Sequence, residues 1–221
     1  MAPGLVIFDC DGVLVDSEPI SLDVLVGLLA EEGCALDLAT GYGALLGRSM
    51  ASVADWLRRE RGFELTETLL AEARARLFRR FETELRPIPG VAEAVRAIGR
   101  PVCVASSSQP DRIRLALSLT GLLPLFEPHI FSATMVARGK PAPDLFQLAA
   151  ARMGADPAAC VVIEDSPAGL RAAAAAGMRA VAFTGGGHAG PARLRETVAN
   201  CAPAAIIGKM EDLPAILRQI G

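Results

Sequence analysis

Four consecutive apolar residues, Leu5-Val6-Ile7-Phe8, run straight into Asp9-Cys10-Asp11-Gly12-Val13-Leu14-Val15-Asp16-Ser17. A short, uninterrupted apolar run is the pattern of a strand buried on both faces, as in a parallel sheet covered by helices. Open sheets of that kind bind ligands beyond the carboxyl ends of their strands, which is where Asp9 and Asp11 fall. Two positions apart on an extended segment, their carboxylates would point to the same side and could share one cation and one reacting group. The alternative is a carboxylate that only caps a helix or solvates a turn.

The same strand pattern returns after the Pro87-Ile88-Pro89-Gly90 punctuation, at Val102 to Ala105, His129 to Ser132, Val161 to Ile163, Ala180 to Phe183 and Ala204 to Ile207. Helical patterns lie between, around Gly90 to Ile98, Asp111 to Leu119, Asp144 to Met153, Ala168 to Ala176 and Arg193 to Ala199. This alternation predicts an α/β fold, a Rossmann-like parallel sheet with helices on both faces. Ser166 can cap the helix that Pro167 begins, and Gly177 suits a left-handed stop. From Ser17 to about Arg86 there is helical periodicity and no strand signal. The expected division is therefore a core of residues 1–16 and 87–221 and an all-helical cap domain of residues 17–86, inserted after the first strand and lying over its carboxyl end as a lid.

With 221 residues, 52% of them hydrophobic, the chain can fill one such core and a smaller inserted module. A net charge of -3 offers no general attraction to nucleic acid or to an anionic membrane, so the expected partner is a small molecule. Apolar stretches fall short of the roughly 20 residues of a membrane span, and the first residues lack a charged leader, so a cytoplasmic protein is expected. The sequence carries no signal for an oligomeric state. Five scattered cysteines match neither a disulfide framework nor a zinc site and read as small buried hydrophobes.

Three further sites fall at strand ends or in the loops after them. Ser106-Ser107-Ser108 can offer hydroxyls and amides to a phosphate, or form an ordinary loop. Lys140, one of only two lysines among 22 basic residues, stands in Arg138-Gly139-Lys140-Pro141-Ala142-Pro143-Asp144. Its ammonium could neutralise a phosphoryl group and a carboxylate, or be a surface lysine in a proline turn. Glu164-Asp165 ends an apolar strand with hard oxygen ligands suited to Mg²⁺, or caps the next helix. The loop Thr184-Gly185-Gly186-Gly187-His188 lacks the spacing of a nucleotide-binding fingerprint and reads as a flexible loop near the sheet edge.

In this order the motifs resemble the haloacid dehalogenase superfamily, specifically phosphatases similar to β-phosphoglucomutase with a helical cap. The resemblance spans essentially the whole chain: D-x-D-G-x-[LI]-x-D-S at Asp9 to Ser17, Ser106, Lys140 in Gly-Lys-Pro-Ala-Pro-Asp, and Glu164-Asp165. It implies that Asp9 is a nucleophile forming an aspartyl phosphate and Asp11 a general acid/base. It further implies that Ser106, Ser107 and Lys140 hold the phosphoryl group, and that Asp9, the backbone carbonyl of Asp11, Glu164 and Asp165 hold Mg²⁺. Arg48, in Gly47-Arg48-Ser49, is marked as a substrate contact in the cap, or else a solvated helix-end arginine. The expected activity is Mg²⁺-dependent hydrolysis of a sugar, sugar-acid or polyol phosphate. The alternative is a β-phosphoglucomutase-like phosphomutase, but such mutases carry a cap-proximal histidine where this chain has Ser21. A dehalogenase proper needs neither the second aspartate nor the metal, and a non-catalytic module would have no need to retain all these groups.

Overall fold

A computed structural model describes residues 4–46 and 50–220. Six strands form one parallel sheet: β1 (Leu5–Phe8), β2 (Val102–Ser106), β3 (Ile130–Ser132), β4 (Cys160–Glu164), β5 (Arg179–Phe183) and β6 (Ala205–Ile207), in the order β3-β2-β1-β4-β5-β6. The strands meet the sequence expectation to within a residue or two. From β1 the chain builds outward through β2 and β3, then crosses to β4 on the other side. The ligand crevice of such a sheet lies at this reversal, between β1 and β4.

Register brings the polar strand ends together there. Phe8 pairs with Ile163, and the Asp9 amide donates to the Ile163 carbonyl at 3.0 Å, so Asp9 emerges beside Glu164. Alternate strand residues feed two separate cores, because successive side chains point to opposite faces. Val6, Phe8, Val104, Ile163 and Phe183 pack with helices α5 (Val91–Ile98), α6 (Pro110–Leu119) and α10 (Leu213–Gln219). Leu5, Ile7, Cys103, Val162 and Ala182 pack with α7 (Asp144–Arg152), α8 (Pro167–Ala175) and α9 (Leu194–Ala199). Each such fully buried side chain contributes about 2 kcal/mol relative to exposure. Helix α10 is absent from the sequence expectation. It is only seven residues long, too short to show periodicity, and is held by Leu213 and Leu217 in the first core.

Helices α1 (Glu18–Glu31), α2 (Leu38–Ala44), α3 (Met50–Arg61) and α4 (Glu67–Glu84) intervene between β1 and α5. Leu22, Leu25 and Leu29 of α1 join Val53 and Leu57 of α3 in a third cluster, while Ile20 and Val24 join the first core with Leu77 and Phe81 of α4. Helix α1 is thus buried on two sides, which explains why its apolar residues run all round it without a clean stripe. Four cysteines are buried, Cys201 is half-buried, and all five are free thiols. Among the described residues no helix is long and apolar enough to cross a membrane.

Candidate active site

The extended geometry expected from Asp9 to Asp11 ends at Cys10. The Cys10 carbonyl accepts from the amides of Leu14 (2.9 Å) and Val15 (3.2 Å), closing a small loop in which Gly12 adopts φ 75°. A Cβ at Gly12 would lie 1.9 Å from Asp165 Oδ2, so glycine is needed both for the backbone and for the space. Because the chain turns, the two aspartates have different partners.

Asp9 faces β4. Lys140 Nζ donates to Asp9 Oδ1 at 2.8 Å and to Glu164 Oε1 at 2.7 Å, above the Phe146 ring at 4.9 Å. The Lys140 side chain is 4% exposed, which excludes the surface-lysine reading. Burial opposes its charge, but the neighbouring Asp9 and Glu164 outweigh that and raise its pKa. Glu164 is fully buried, and its other oxygen accepts from the Ser166 amide (2.8 Å) and hydroxyl (2.9 Å). It therefore joins the start of α8 as well as Lys140. Ser166 Oγ accepts from the Gly169 amide, as a cap should, and Gly177 has φ 73°. A Cβ at Gly169 would fall 1.8 Å from Glu164 Oε1, so only glycine lets α8 pack this close.

Asp9, Glu164 and Asp165 offer oxygens that all lie within 4.8 Å of one another. Burial raises the pKa of Asp9, with Lys140 opposing and Glu164 and Asp165 adding. Burial and the charge of Glu164 likewise raise that of Asp165. Three buried carboxylates against one ammonium leave an excess of two negative charges when all are ionised. Hard oxygen donors with that imbalance fit a divalent cation such as Mg²⁺.

Asp11 is held differently. Ser17 Oγ and Arg112 Nη2 donate to Oδ1 at 2.6 and 2.7 Å, and Ser108 Oγ donates to Oδ2 at 2.6 Å. Burial alone would raise its pKa, but Arg112 and the two hydroxyls outweigh that and lower it. Arg112 also donates to Ser21 Oγ at 3.1 Å and lies over Phe81 of α4, linking α6 to two helices of the insertion. Ser106, buried, accepts from the Ser108 amide at 3.1 Å, while Ser107 is exposed. Arg48, with Gly47 and Ser49, lies outside the described residues.

In sequence, Ser108 stands out only as part of a phosphate-holding serine run and not as a partner of Asp11, His188 only in a flexible loop, and Arg112 not at all. The available signal for Ser108 and Arg112 is position: the serine turn after β2 leads directly into α6, so its first residues share the sheet edge with Asp11. His188 overturns the flexible-loop expectation. It is 2% exposed, with Nε2 3.0 Å from Asp165 Oδ2.

Glu18, at the start of α1, is pushed up to about 8 by burial and by the charges of Asp11 and Asp165, against Arg112 and His188. Its folded pKa exceeds its ordinary 4.5, so between those values the folded chain keeps a proton that the unfolded chain releases. Its stabilising contribution is then full below pH 4.5 and is lost as pH rises to about 8. Glu18→Gln is expected to flatten this part of the pH dependence in metal-free protein, measured by urea denaturation across that range. An unchanged slope would contradict it.

The family model of haloacid dehalogenase-like hydrolases matches residues 3–177. The chain is 32% identical over 187 residues to the 6-phosphogluconate phosphatase of Escherichia coli, covering 84% of this chain and 85% of that protein. A haloacid dehalogenase-like protein of unknown function from Agrobacterium tumefaciens is 35% identical, with a TM-score of 0.87 and 98% of each chain covered. A hydrolase of the same family from Deinococcus radiodurans, solved with bound phosphate and sodium, is 34% identical, with a TM-score of 0.79, covering 100% of this chain and 98% of that one. With its acidic strand ends gathered around one buried lysine at the reversal of a parallel sheet, the chain belongs to the haloacid dehalogenase-like hydrolases.

Proposed function

We propose that the chain is a Mg²⁺-dependent phosphatase that hydrolyses a small phosphate monoester, of a sugar, sugar acid or polyol, through an aspartyl phosphate on Asp9. The observation that carries this reading is the separation of the two aspartates. Asp9 lies with Lys140 and the acidic cluster, whereas Asp11 is gripped by Ser17, Ser108 and Arg112. One carboxylate is set beside Lys140 and the acidic cluster, the other among two hydroxyls and the Arg112 guanidinium.

Asp9 attacks phosphorus, and the bond to the leaving oxygen breaks as Asp11 delivers a proton to it. Water then attacks the aspartyl phosphate while Asp11 takes up its proton, which frees Asp9 and phosphate. Asp11 is ionised in its present surroundings, the state needed for the second step. An anionic ester beside it favours the protonated form needed for the first. Lys140, Ser106 and the amides of Cys10, Asp11 and Ser107 offset charge on the phosphoryl oxygens. Asp9, the Asp11 carbonyl and Asp165 with Glu164 would hold Mg²⁺, which would supply the charge that lets a carboxylate approach a phosphate dianion. Residues 17–86 act as the lid that excludes water and selects the leaving group, with Asp16-Ser17 as one hinge.

The name of the Escherichia coli relative supports a sugar-acid phosphate as one member of the substrate class. Ser21 supports hydrolysis over mutation, since its hydroxyl only donates to the Ser17 carbonyl (2.8 Å) and accepts from Arg112. A phosphate-release screen over sugar, sugar-acid, polyol and glycolate phosphates tests the reading. Release is expected with Mg²⁺, to vanish in excess chelator and to return when Mg²⁺ is restored. Full activity in chelator sinks the mechanism, and isomerised sugar phosphate needing a bisphosphate primer favours the mutase.

A further inference from the structure

The loop Thr184-Gly185-Gly186-Gly187-His188 leaves the carboxyl end of β5, next to β4, and takes no part in the steps above. Its three glycines mark close packing. A Cβ at Gly185 would lie 2.3 Å from the Gly208 carbonyl, one at Gly186 2.8 Å from the His188 ring, and one at Gly187 2.9 Å from the Asp16 carboxylate. The Gly187 amide donates to Asp16 Oδ1 at 2.8 Å. Beyond the ring, the Ala192 amide donates to the His188 carbonyl at 2.9 Å. The loop is thus fixed to the junction between β1 and α1 at one point and to its own following turn at another.

This strap delivers a buried imidazole to Asp165. His188 Nε2 lies 3.0 Å from Asp165 Oδ2, while Nδ1 is buried without a partner. Burying a polar ring costs free energy unless it is hydrogen-bonded. We propose that His188 is a positioning residue for the cation site: by donating from Nε2 to Asp165 Oδ2 it fixes the rotation of that carboxylate, and the three-glycine strap fixes the ring. The inference rests on the Mg²⁺ reading of the acidic cluster. Hydrogen-bonded partners behind a metal-binding carboxylate orient it, and their loss weakens metal affinity by roughly 10–100-fold.

Titration calorimetry of Mg²⁺ into the metal-free full chain tests it without using turnover. His188→Met keeps the bulk and removes the donor, and is expected to weaken Mg²⁺ binding by roughly 10–100-fold. His188→Gln, whose amide nitrogen can stand in for Nε2, is expected to restore most of that affinity. Wild-type affinity in the methionine variant, or equal loss in both variants, overturns the positioning role while leaving the proposed phosphatase intact. Absence of Mg²⁺ binding in the wild type overturns the cation site and this inference with it. Should the methionine chain fail to fold by circular dichroism, His188→Asn replaces it, since its amide mimics Nδ1 and not Nε2.

Discussion

Asp9→Asn is expected to lower phosphate release by roughly 10⁴-fold or more, because an amide oxygen cannot form the covalent intermediate. The same substitution is expected to leave the metal-free fold as stable as the wild type, or more so. Asp9 is raised in pKa by burial and by Glu164 and Asp165, so at neutral pH its charge opposes folding in the absence of a divalent cation. Asparagine keeps the shape and an acceptor for Lys140 while removing that charge. Phosphate-release assays and urea denaturation in chelator measure the two effects on one preparation. A variant keeping more than about 1% of the activity would remove Asp9 from the nucleophile's role, and a large loss of stability would contradict the charge argument. Opposite signs are what distinguish a group retained for chemistry from one retained for structure.

The strand ends are legible in the sequence because a parallel sheet buried on both faces leaves few positions for acids. Asp9, Glu164 and Asp165 each follow a run of four or more buried apolar residues or lie at its end, and nothing but the sheet edge suits them. Lys140 is legible for a different reason, as one of two lysines in an arginine-rich chain. What escapes such reading depends on the paths of loops. The turn at Cys10 that separates the two aspartates is made by backbone hydrogen bonds, and a strand-based extrapolation across it does not foresee their different partners. Arg112 looks like any helical arginine until α6 is set against α1 and α4. The glycines before His188 suggest freedom in sequence, yet Gly185 and Gly187 lie against atoms of distant segments, the Gly208 carbonyl and the Asp16 carboxylate, and Gly186 lies against the His188 ring.

Lys140→Met carries the second large expectation, on stability. Methionine retains the stem against Phe146 but leaves Asp9 and Glu164 buried without the cation that now donates to both, and breaking a buried pair from one side costs about 3–5 kcal/mol. The deficit has a predictable pH dependence. Without the ammonium, which now opposes the effect of burial on Asp9, the folded chain holds a proton on Asp9 more strongly than the unfolded chain does. The loss should therefore be small below the ordinary carboxylate range and grow as pH rises toward neutrality. Mg²⁺ is expected to return part of it by supplying positive charge to the same oxygens. Urea denaturation at about pH 3 and about pH 7, on either side of the ordinary carboxylate titration, with and without Mg²⁺, separates this from a packing defect, which would be equal at both pH values and blind to the metal. Activity should fall by roughly 10²–10³-fold, as for loss of one preorganised charge at a reacting oxyanion. Lys140→Arg should not rescue it. Two acceptors at 2.8 and 2.7 Å converge on a single nitrogen, and a planar guanidinium cannot present one compact charge to both within a site that leaves the side chain 4% exposed.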